Sequence, residues 1–178
     1  MTILKAYDMD DFEKFYNIAL RFLSYRPRSE KEVRDHLKLK ASHFAKASRD
    51  KQNSKLIDQV IQKLKEYRFI DDVGFAKKWI EERMQFKPRS LRLITLELKR
   101  KGISEEIIES IIHDSQFMIQ NDLEQAKRLV EKRMNRSFGK LGMTPEKEYQ
   151  KLVRFLASKG FDWDTIKKAI DESLEKGV

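Results

Sequence analysis

An internal repeat constrains the fold of this chain more than any other feature of its sequence. Residues 25–41 read YRPRSEKEVRDHLKLKA and residues 86–102 read FKPRSLRLITLELKRKG, so both begin aromatic–basic–Pro–Arg–Ser and continue into a cluster of Lys and Arg. Residues 143–160, MTPEKEYQKLVRFLASKG, are a third copy that shares the proline and a final Lys-Gly pair. Such self-similarity indicates one structural unit that is used several times.

A short amphipathic helix is predicted ahead of each copy. The three helices share an alanine that is followed three and four residues later by two large apolar residues, at Ala19, Ala76 and Ala126. This is helical spacing with one buried face.

A capped helix is predicted behind each copy. Gly102 ends one helix and Ser104 is a fitting N-cap for the next. Asp162 takes the capping place in the third copy, and Asn53 or Ser54 takes it in the first. The repeated unit is therefore helix–turn–helix–turn–helix.

The second helix of each unit carries its own start signals. Ser29 with Glu32 fits a capping box, and Pro145 fits the first helical position after Thr144. In the second unit, the pair at 71–72 is interpreted as an N-cap of the first helix, because no further ligand for a metal or an acid–base site lies nearby.

These patterns predict an all-α fold of three tandem three-helix, helix-turn-helix-like repeats in an elongated, curved array. One unit of three short helices buries little surface alone, so we expect the repeats to share interfaces. We expect the insert in the first repeat to be a mobile loop or a helix extension. The predicted divisions are an N-terminal extension 1–13, repeat 1 at 14–70 with an insert at 41–53, repeat 2 at 71–114 and repeat 3 at 115–178.

Composition argues against several classes of function. The chain has no Cys, which excludes a disulfide framework and thiolate catalysis. His36, His43 and His113 are not at metal-ligand spacing, and no phosphate-binding glycine loop or nucleophile motif is present. We expect no enzyme activity, no cofactor and no metal. Without an apolar run of membrane-spanning length or an apolar signal core, the expected location is the cytoplasm.

Charge points to a polyanionic partner. The net charge is +9, and residues 83–102 hold seven basic residues against one acid, Glu97. Such an excess suits nucleic acid or an acidic protein surface, whereas the alternative is a solvated basic face that aids solubility. Tyr25 and Phe86 are of a type that stacks bases, but we favour the interpretation that they close each turn against the core. The candidate contact residues are Arg26, Arg28, Arg83, Lys87, Arg89, Arg92, Lys99, Arg100 and Lys101.

Three segments together resemble the RecX family, bacterial regulatory proteins of the RecA recombinase. They are ALRFLSYRPRSEKEVRDHLKLK, FIDDVGFAKKWIEERM and KPRSLRLITLELKRKGISEEIIESII. The resemblance is strong over residues 16–112 and weaker over 122–175. The insert at 41–53 lacks the family's usual Lys-Gly turn, and a long loop surrounds Gly139 and Gly142. The hallmark residues are Ile70, Asp71, Asp72, Phe75, Ala76, Trp79 and Arg83.

The resemblance implies tandem three-helix repeats without catalytic or cofactor residues. It also implies binding along the groove of RecA filaments on single-stranded DNA. There, members of the family modulate, and usually inhibit, recombinase, ATPase and coprotease activities in DNA repair and the SOS response, and the residues leave inhibition or stimulation open for this chain. Some members of the family bind DNA directly, and a monomer is expected. Two alternatives stay open: a nucleic-acid-binding module without sequence preference that acts without recombinase, and an adaptor for another protein.

Overall fold

The computed structural model describes residues 3–44, 50–114, 121–137 and 144–175. This part of the chain contains nine α-helices and no strand, which confirms the predicted all-α class. The helices are α1 (Ile3–Ser24), α2 (Glu30–Phe44), α3 (Asp50–Glu66), α4 (Asp72–Phe86), α5 (Leu91–Arg100), α6 (Glu105–Asp114), α7 (Asn121–Ser137), α8 (Pro145–Ser158) and α9 (Trp163–Glu175).

Each repeat supplies three of these helices. The predicted N-terminal extension is continuous with α1 from Ile3 onward. Residues 41–44 lengthen α2 and residues 50–53 belong to α3, while the rest of the insert and the loop around Gly139 and Gly142 lie outside the described residues. The predicted cap at Asn53 or Ser54 is wrong, because α3 begins at Asp50 and both residues lie inside the helix.

The predicted helix starts are confirmed in the second helices of repeats 1 and 3. The Glu32 N–H donates to Ser29 Oγ at 3.3 Å, and the Ser29 N–H donates to the Glu32 carboxylate at 3.3 Å. This reciprocal pair is a capping box, which satisfies two otherwise unpaired backbone donors. Thr144 has extended backbone at φ −80° and ψ 152°, and Pro145 follows as the first helical residue.

The chain divides into two compact units that cut across repeat 2. The first unit holds residues 1–76 and 100–104, and the second holds 77–99 and 105–178. Each has an apolar cluster whose members come from successive helices, as amphipathic helices require. Buried in the first cluster are Phe15, Ala19, Val33, Leu37, Ala41, Ile57, Val60, Ile61, Leu64 and Ile70. Buried in the second are Ala126, Leu129, Val130, Leu152, Leu156, Phe161, Ile166, Ala169 and Ile170.

The end of α3 is closed by a non-glycine residue in the left-handed region. Arg68 has a φ of +56°, and its N–H donates to the Lys65 carbonyl at 2.9 Å. The Phe69 N–H donates to the Leu64 carbonyl at 2.8 Å. This pair of bonds satisfies helix-end carbonyls in the arrangement that usually selects glycine.

Candidate nucleic-acid and protein interface

The Pro-Arg-Ser motif of repeat 1 docks the start of α2 onto residues of repeat 2. The buried Ser29 hydroxyl donates to the Lys101 carbonyl at 2.6 Å. The Glu30 N–H donates to Asp72 Oδ1 at 2.8 Å. Burial raises the pKa of Asp72, although this N–H acts in the opposite direction. We call these four residues the first joint.

The motif of repeat 2 docks α5 onto repeat 3 through a serine and an aspartate as well. The Ser90 hydroxyl donates to the Gly160 carbonyl at 2.7 Å, and the Ser90 N–H donates to the Lys159 carbonyl at 3.0 Å. The Leu91 N–H donates to Asp122 Oδ1 at 3.0 Å, and burial raises the pKa of Asp122. This second joint explains why the Pro-Arg-Ser motif occurs in repeats 1 and 2, because each of these two copies anchors its helix on the repeat that follows.

The joints revise the interpretation of the aspartate pair at the start of α4. Asp71 does cap α4, because its Oδ1 accepts the Gly74 N–H at 3.0 Å. Asp72, expected to share that role, instead accepts a backbone N–H at the start of α2. A helix N-terminus leaves its first N–H groups unpaired, so a carboxylate from another repeat can satisfy one of them.

Glycine is required where the Lys-Gly turns meet the joints. Gly160 has a φ of +88°, and a Cβ there would lie 2.7 Å from Ser90 Oγ and 2.8 Å from Leu93 Cβ. Gly102 has a φ of +82°, and its Cβ would lie 2.4 Å from Lys31 Cβ. Both positions therefore need the left-handed backbone and the close approach that only glycine permits.

Glu32 gathers two of the candidate cations beside the first joint. Arg26 Nη2 lies 2.8 Å and Lys101 Nζ lies 3.1 Å from Glu32 Oε1. Burial alone would raise the pKa of Glu32, but the hydrogen bonds from Arg26, Lys101 and the Ser29 N–H outweigh it and lower this pKa to about 2. Arg26 and Lys101 are thus held by a carboxylate.

Glu97 gathers two more candidates in the second unit. Its Oε2 accepts from Trp79 Nε1 at 2.9 Å and from Arg83 Nε at 2.8 Å, and Arg89 donates to its Oε1. The Arg83 guanidinium also lies 3.9 Å from the centroid of the Trp79 ring. The side chains of Arg83 and Glu97 are only 14% and 12% exposed, so this network is mostly shielded from solvent.

Arg28 packs against an aromatic ring and is not available to an external partner. Its guanidinium lies 3.8 Å from the centroid of the Phe22 ring, and its buried Nε has no hydrogen-bond partner in the described structure. Burial, followed by the charge of Arg26, lowers the pKa of Arg28. His36 stacks on Phe22 as well, at 3.9 Å between ring centroids. Arg28 therefore closes a stack in repeat 1.

The remaining candidates are exposed at the surface. Lys99 pairs with Glu105 at 2.5 Å. Lys87, Arg92 and Arg100 are exposed, and no carboxylate of the described residues pairs with them. These three cations are therefore available to an external partner, whereas the other candidate contact residues are held by carboxylates or by an aromatic ring.

A cleft of about 420 Å³ in the second unit brings Lys87 and Arg89 together with basic residues that the sequence reasoning missed. The missed residues are Lys132, Arg133 and Lys159. The basic run of α7 and the third Lys-Gly pair carry this signal in the sequence, but the local charge excess at residues 83–102 drew the prediction to the second copy of the motif.

Two phenylalanines also line this cleft, Phe86 and Phe155. Phe86 is 75% exposed, and Tyr25, at the same place in the first copy of the motif, is 72% exposed. The favoured interpretation that these two rings close their turns against the core is therefore wrong. The joints use the serine and the next backbone N–H, which leaves the aromatic residue outside the packed surface.

Metal-binding clusters and membrane-spanning helices are both absent from the described ranges. No group of three or more His, Cys, Asp or Glu side chains there is placed to hold a metal ion. None of the helices in those ranges is both long enough and apolar enough to cross a membrane.

Family models match all three repeats. The models for the first, second and third three-helix domains of RecX match residues 16–41, 71–111 and 120–170. "Regulatory protein RecX" of Bacillus velezensis is 31% identical over 173 residues, which are 97% of this chain and 60% of that protein. The protein of the same name from Caldanaerobacter subterraneus is 32% identical over 155 residues, which are 87% of this chain and 68% of that protein.

Solved structures agree with these matches. The crystal structure of RecX from Lactobacillus salivarius has a TM-score of 0.67 and 30% identity, covering 93% of this chain and 97% of that one. A second structure, titled "Crystal structure of regulatory protein RecX", has a TM-score of 0.72 at 23% identity and supports the fold.

Proposed function

Because this chain belongs to the RecX family, we propose that it regulates the RecA recombinase by binding RecA filaments on single-stranded DNA. Bound along the filament groove, it contacts neighbouring recombinase subunits and inhibits recombination, ATP hydrolysis and coprotease activity. The chain acts as a binding protein in the cytoplasm, in DNA repair and the SOS response.

The observation that carries this proposal is the recurrence of the joint. Ser29 and Ser90 anchor successive second helices, each by a bond from its hydroxyl to a carbonyl of the next Lys-Gly pair, and each is followed by a backbone N–H that donates to an aspartate. A chain built this way offers similar residues more than once, which suits a partner that is itself a repeating polymer. Each contact after the first is then intramolecular, which raises the overall affinity.

RecA ATP hydrolysis on single-stranded DNA tests the proposal. The chain is titrated from well below the recombinase concentration upward, and a parallel titration measures its binding to the same DNA without recombinase. We expect suppression at substoichiometric amounts, because one bound molecule affects several filament subunits. The DNA alone should be bound more weakly than the filament.

Suppression that begins only when the chain saturates bare DNA would contradict filament regulation. It would instead support the nucleic-acid-binding module that competes for the strand without contacting recombinase. That alternative has one observation in its favour, the basic cleft of the second unit. The adaptor alternative predicts no effect in either titration.

A further inference from the structure

The cleft of the second unit is a cationic surface without a carboxylate in its lining. It lies where the end of α4, the second half of α7 and the end of α8 meet. Arg89 is shared with Glu97, but no carboxylate of the described residues pairs with the other four cations. Those four are Lys87, Lys132, Arg133 and Lys159.

The same helix positions in repeat 2 carry a different chemistry. Aligning Ala76 with Ala126 places Arg83 opposite Arg133, and aligning the Lys-Gly pairs places Glu97 opposite Phe155. Arg83 forms an ion pair with Glu97, with 2.8 Å between Arg83 Nε and Glu97 Oε2. In repeat 3 the acid is replaced by a phenyl ring.

Arg133 stacks on the ring that replaces the acid. Its guanidinium lies 4.4 Å from the centroid of Phe155, and Lys159 Nζ lies 5.5 Å from the same centroid. A ring holds a cation in place without neutralising it, so both groups keep hydrogen-bond donors for an external anion. With Phe155 in the place of Glu97, the guanidinium of Arg133 faces a ring, and no carboxylate of the described residues pairs with it.

The second joint holds the walls of the cleft in register. The Ser90 N–H and hydroxyl bind the carbonyls of Lys159 and Gly160, which fixes the turn at residues 86–89 beside the end of α8. Pro88 further restricts this turn, because its ring fixes φ. Phe86 therefore stands at the rim of the cleft, 75% exposed, with cations beside it.

We propose that this cleft binds one nucleotide of a single strand directly, with the base stacked on Phe86 and the flanking phosphates on Lys87, Lys132, Arg133 and Lys159. Cations that follow the backbone beside an exposed ring are the combination that single-strand binders use. A duplex keeps its bases stacked on each other, and an acidic peptide has no planar base for the ring. The inference rests on the proposed function only in taking the strand to be the single-stranded DNA on which RecA filaments form. The binding itself needs no recombinase.

Fluorescence anisotropy with a labelled oligothymidylate and the full chain, without recombinase, tests this site. Removing the ring in F86A should weaken binding by about 5-fold to 160-fold, since stacking contributes roughly 1–3 kcal/mol per base. Y25A is the matched control, because Tyr25 has the same motif position and exposure but lies outside the cleft. Unchanged thermal midpoints in both variants would show that the fold is intact.

The phosphate contacts have their own signature. Each lost contact should reduce the slope of log affinity against log salt by about 0.7, so K87A/K132A should reduce it by about 1.4. K167A/K168A removes the same charge from exposed positions of α9 outside the cleft and should leave the slope near the wild-type value.

Two comparison ligands decide between a nucleotide site and a general anion site. An abasic strand should bind the wild type more weakly than oligothymidylate and should be insensitive to F86A. Polyglutamate that competes as well as the strand, or F86A that binds like the wild type, would overturn the proposal in favour of an acidic protein surface. Because no recombinase is present, this result and the ATPase titration can fail independently.

Discussion

At the residue scale, a few residues have a left-handed backbone, which costs free energy for any residue with a Cβ. Among the described residues, Arg68 is not a glycine but has a positive φ. Gly102 and Gly160 take the corresponding left-handed positions after α5 and α8. The left-handed backbone brings a Cβ close to the following carbonyl oxygen. Arg68 lies between Tyr67 and Phe69, which are 61% and 51% exposed, so the strained turn stands at the surface.

Replacing Arg68 with glycine should therefore stabilise the fold. We expect R68G to raise the free energy of unfolding by about 1 kcal/mol, because glycine adopts this φ without the Cβ clash. Chemical denaturation measures the change. R68A is the control, since it removes the guanidinium and keeps the Cβ. An equal gain in R68A would locate the cost in the side chain instead of the backbone.

Glu32 should make the stability of the fold depend on pH. Its pKa is about 2 in the folded chain against an ordinary value of 4.5. A lowered pKa means that the charged form stabilises the fold above 4.5 and that this contribution is lost as the pH falls towards 2. E32Q should thus lower the thermal midpoint at neutral pH, and the gap to wild type should narrow below 4.5.

The control for this titration is E106Q, at an exposed position in the first turn of α6. It should leave the thermal midpoint at neutral pH close to that of wild type. A gap between E32Q and wild type that stays constant through the acid range would mean that packing, and not the charge of Glu32, accounts for the loss.

At the scale of helices, local signals were readable from the sequence and contacts between helices were not. The capping box of Ser29 and Glu32 and the buried alanines follow from residues three or four positions apart, which one helix brings together. Asp72 was interpreted as a local cap because it stands next to the start of α4. Its true partner, the Glu30 N–H, is 42 residues away and cannot be recognised from the local sequence. The start of α3 was placed too late, because cap-type residues also occur inside helices.

The same limit applied to the candidate contact residues. Sequence gives the sign of a charge but not its partner, so Arg83 counted toward the basic patch although Glu97 binds it. Lys132 and Arg133 were missed because α7 meets the end of α4 only in the folded second unit. Phe86 was expected to close its turn against the core, because an aromatic ring near a proline gives no information about which of its faces is covered.

The serine of each joint should contribute measurably to stability. S90A leaves the Gly160 carbonyl without its hydroxyl donor in a buried setting, which should cost about 1–3 kcal/mol of unfolding free energy. Ser158 donates to the Phe155 carbonyl at an exposed site, so S158A removes a hydroxyl from the same unit at little cost. Equal unfolding midpoints for S90A and S158A in urea would contradict the prediction that the Ser90 hydroxyl stabilises the fold.

At the scale of the whole molecule, net charge alone does not identify a binding surface. The chain carries 38 basic residues, but the structure commits several of those in the repeated motifs to internal carboxylates. If such a cation leaves its partly buried acid for an external partner, the carboxylate is left unpaired, which costs free energy. The exposed cations of α5 that pair with no described carboxylate, Arg92 and Arg100, are better placed to meet an external polyanion.

Charge reversal should separate these two groups of cations. R92E/R100E should keep the thermal midpoint of wild type but raise, several-fold, the concentration that half-suppresses RecA ATP hydrolysis, since exposed ion pairs contribute roughly 0.2–1 kcal/mol each. R89E should instead lower the thermal midpoint, because it places a carboxylate against Glu97. K167E/K168E, with the same charge change on α9, should suppress like wild type. Wild-type suppression by R92E/R100E would exclude this face of α5 from the filament contact.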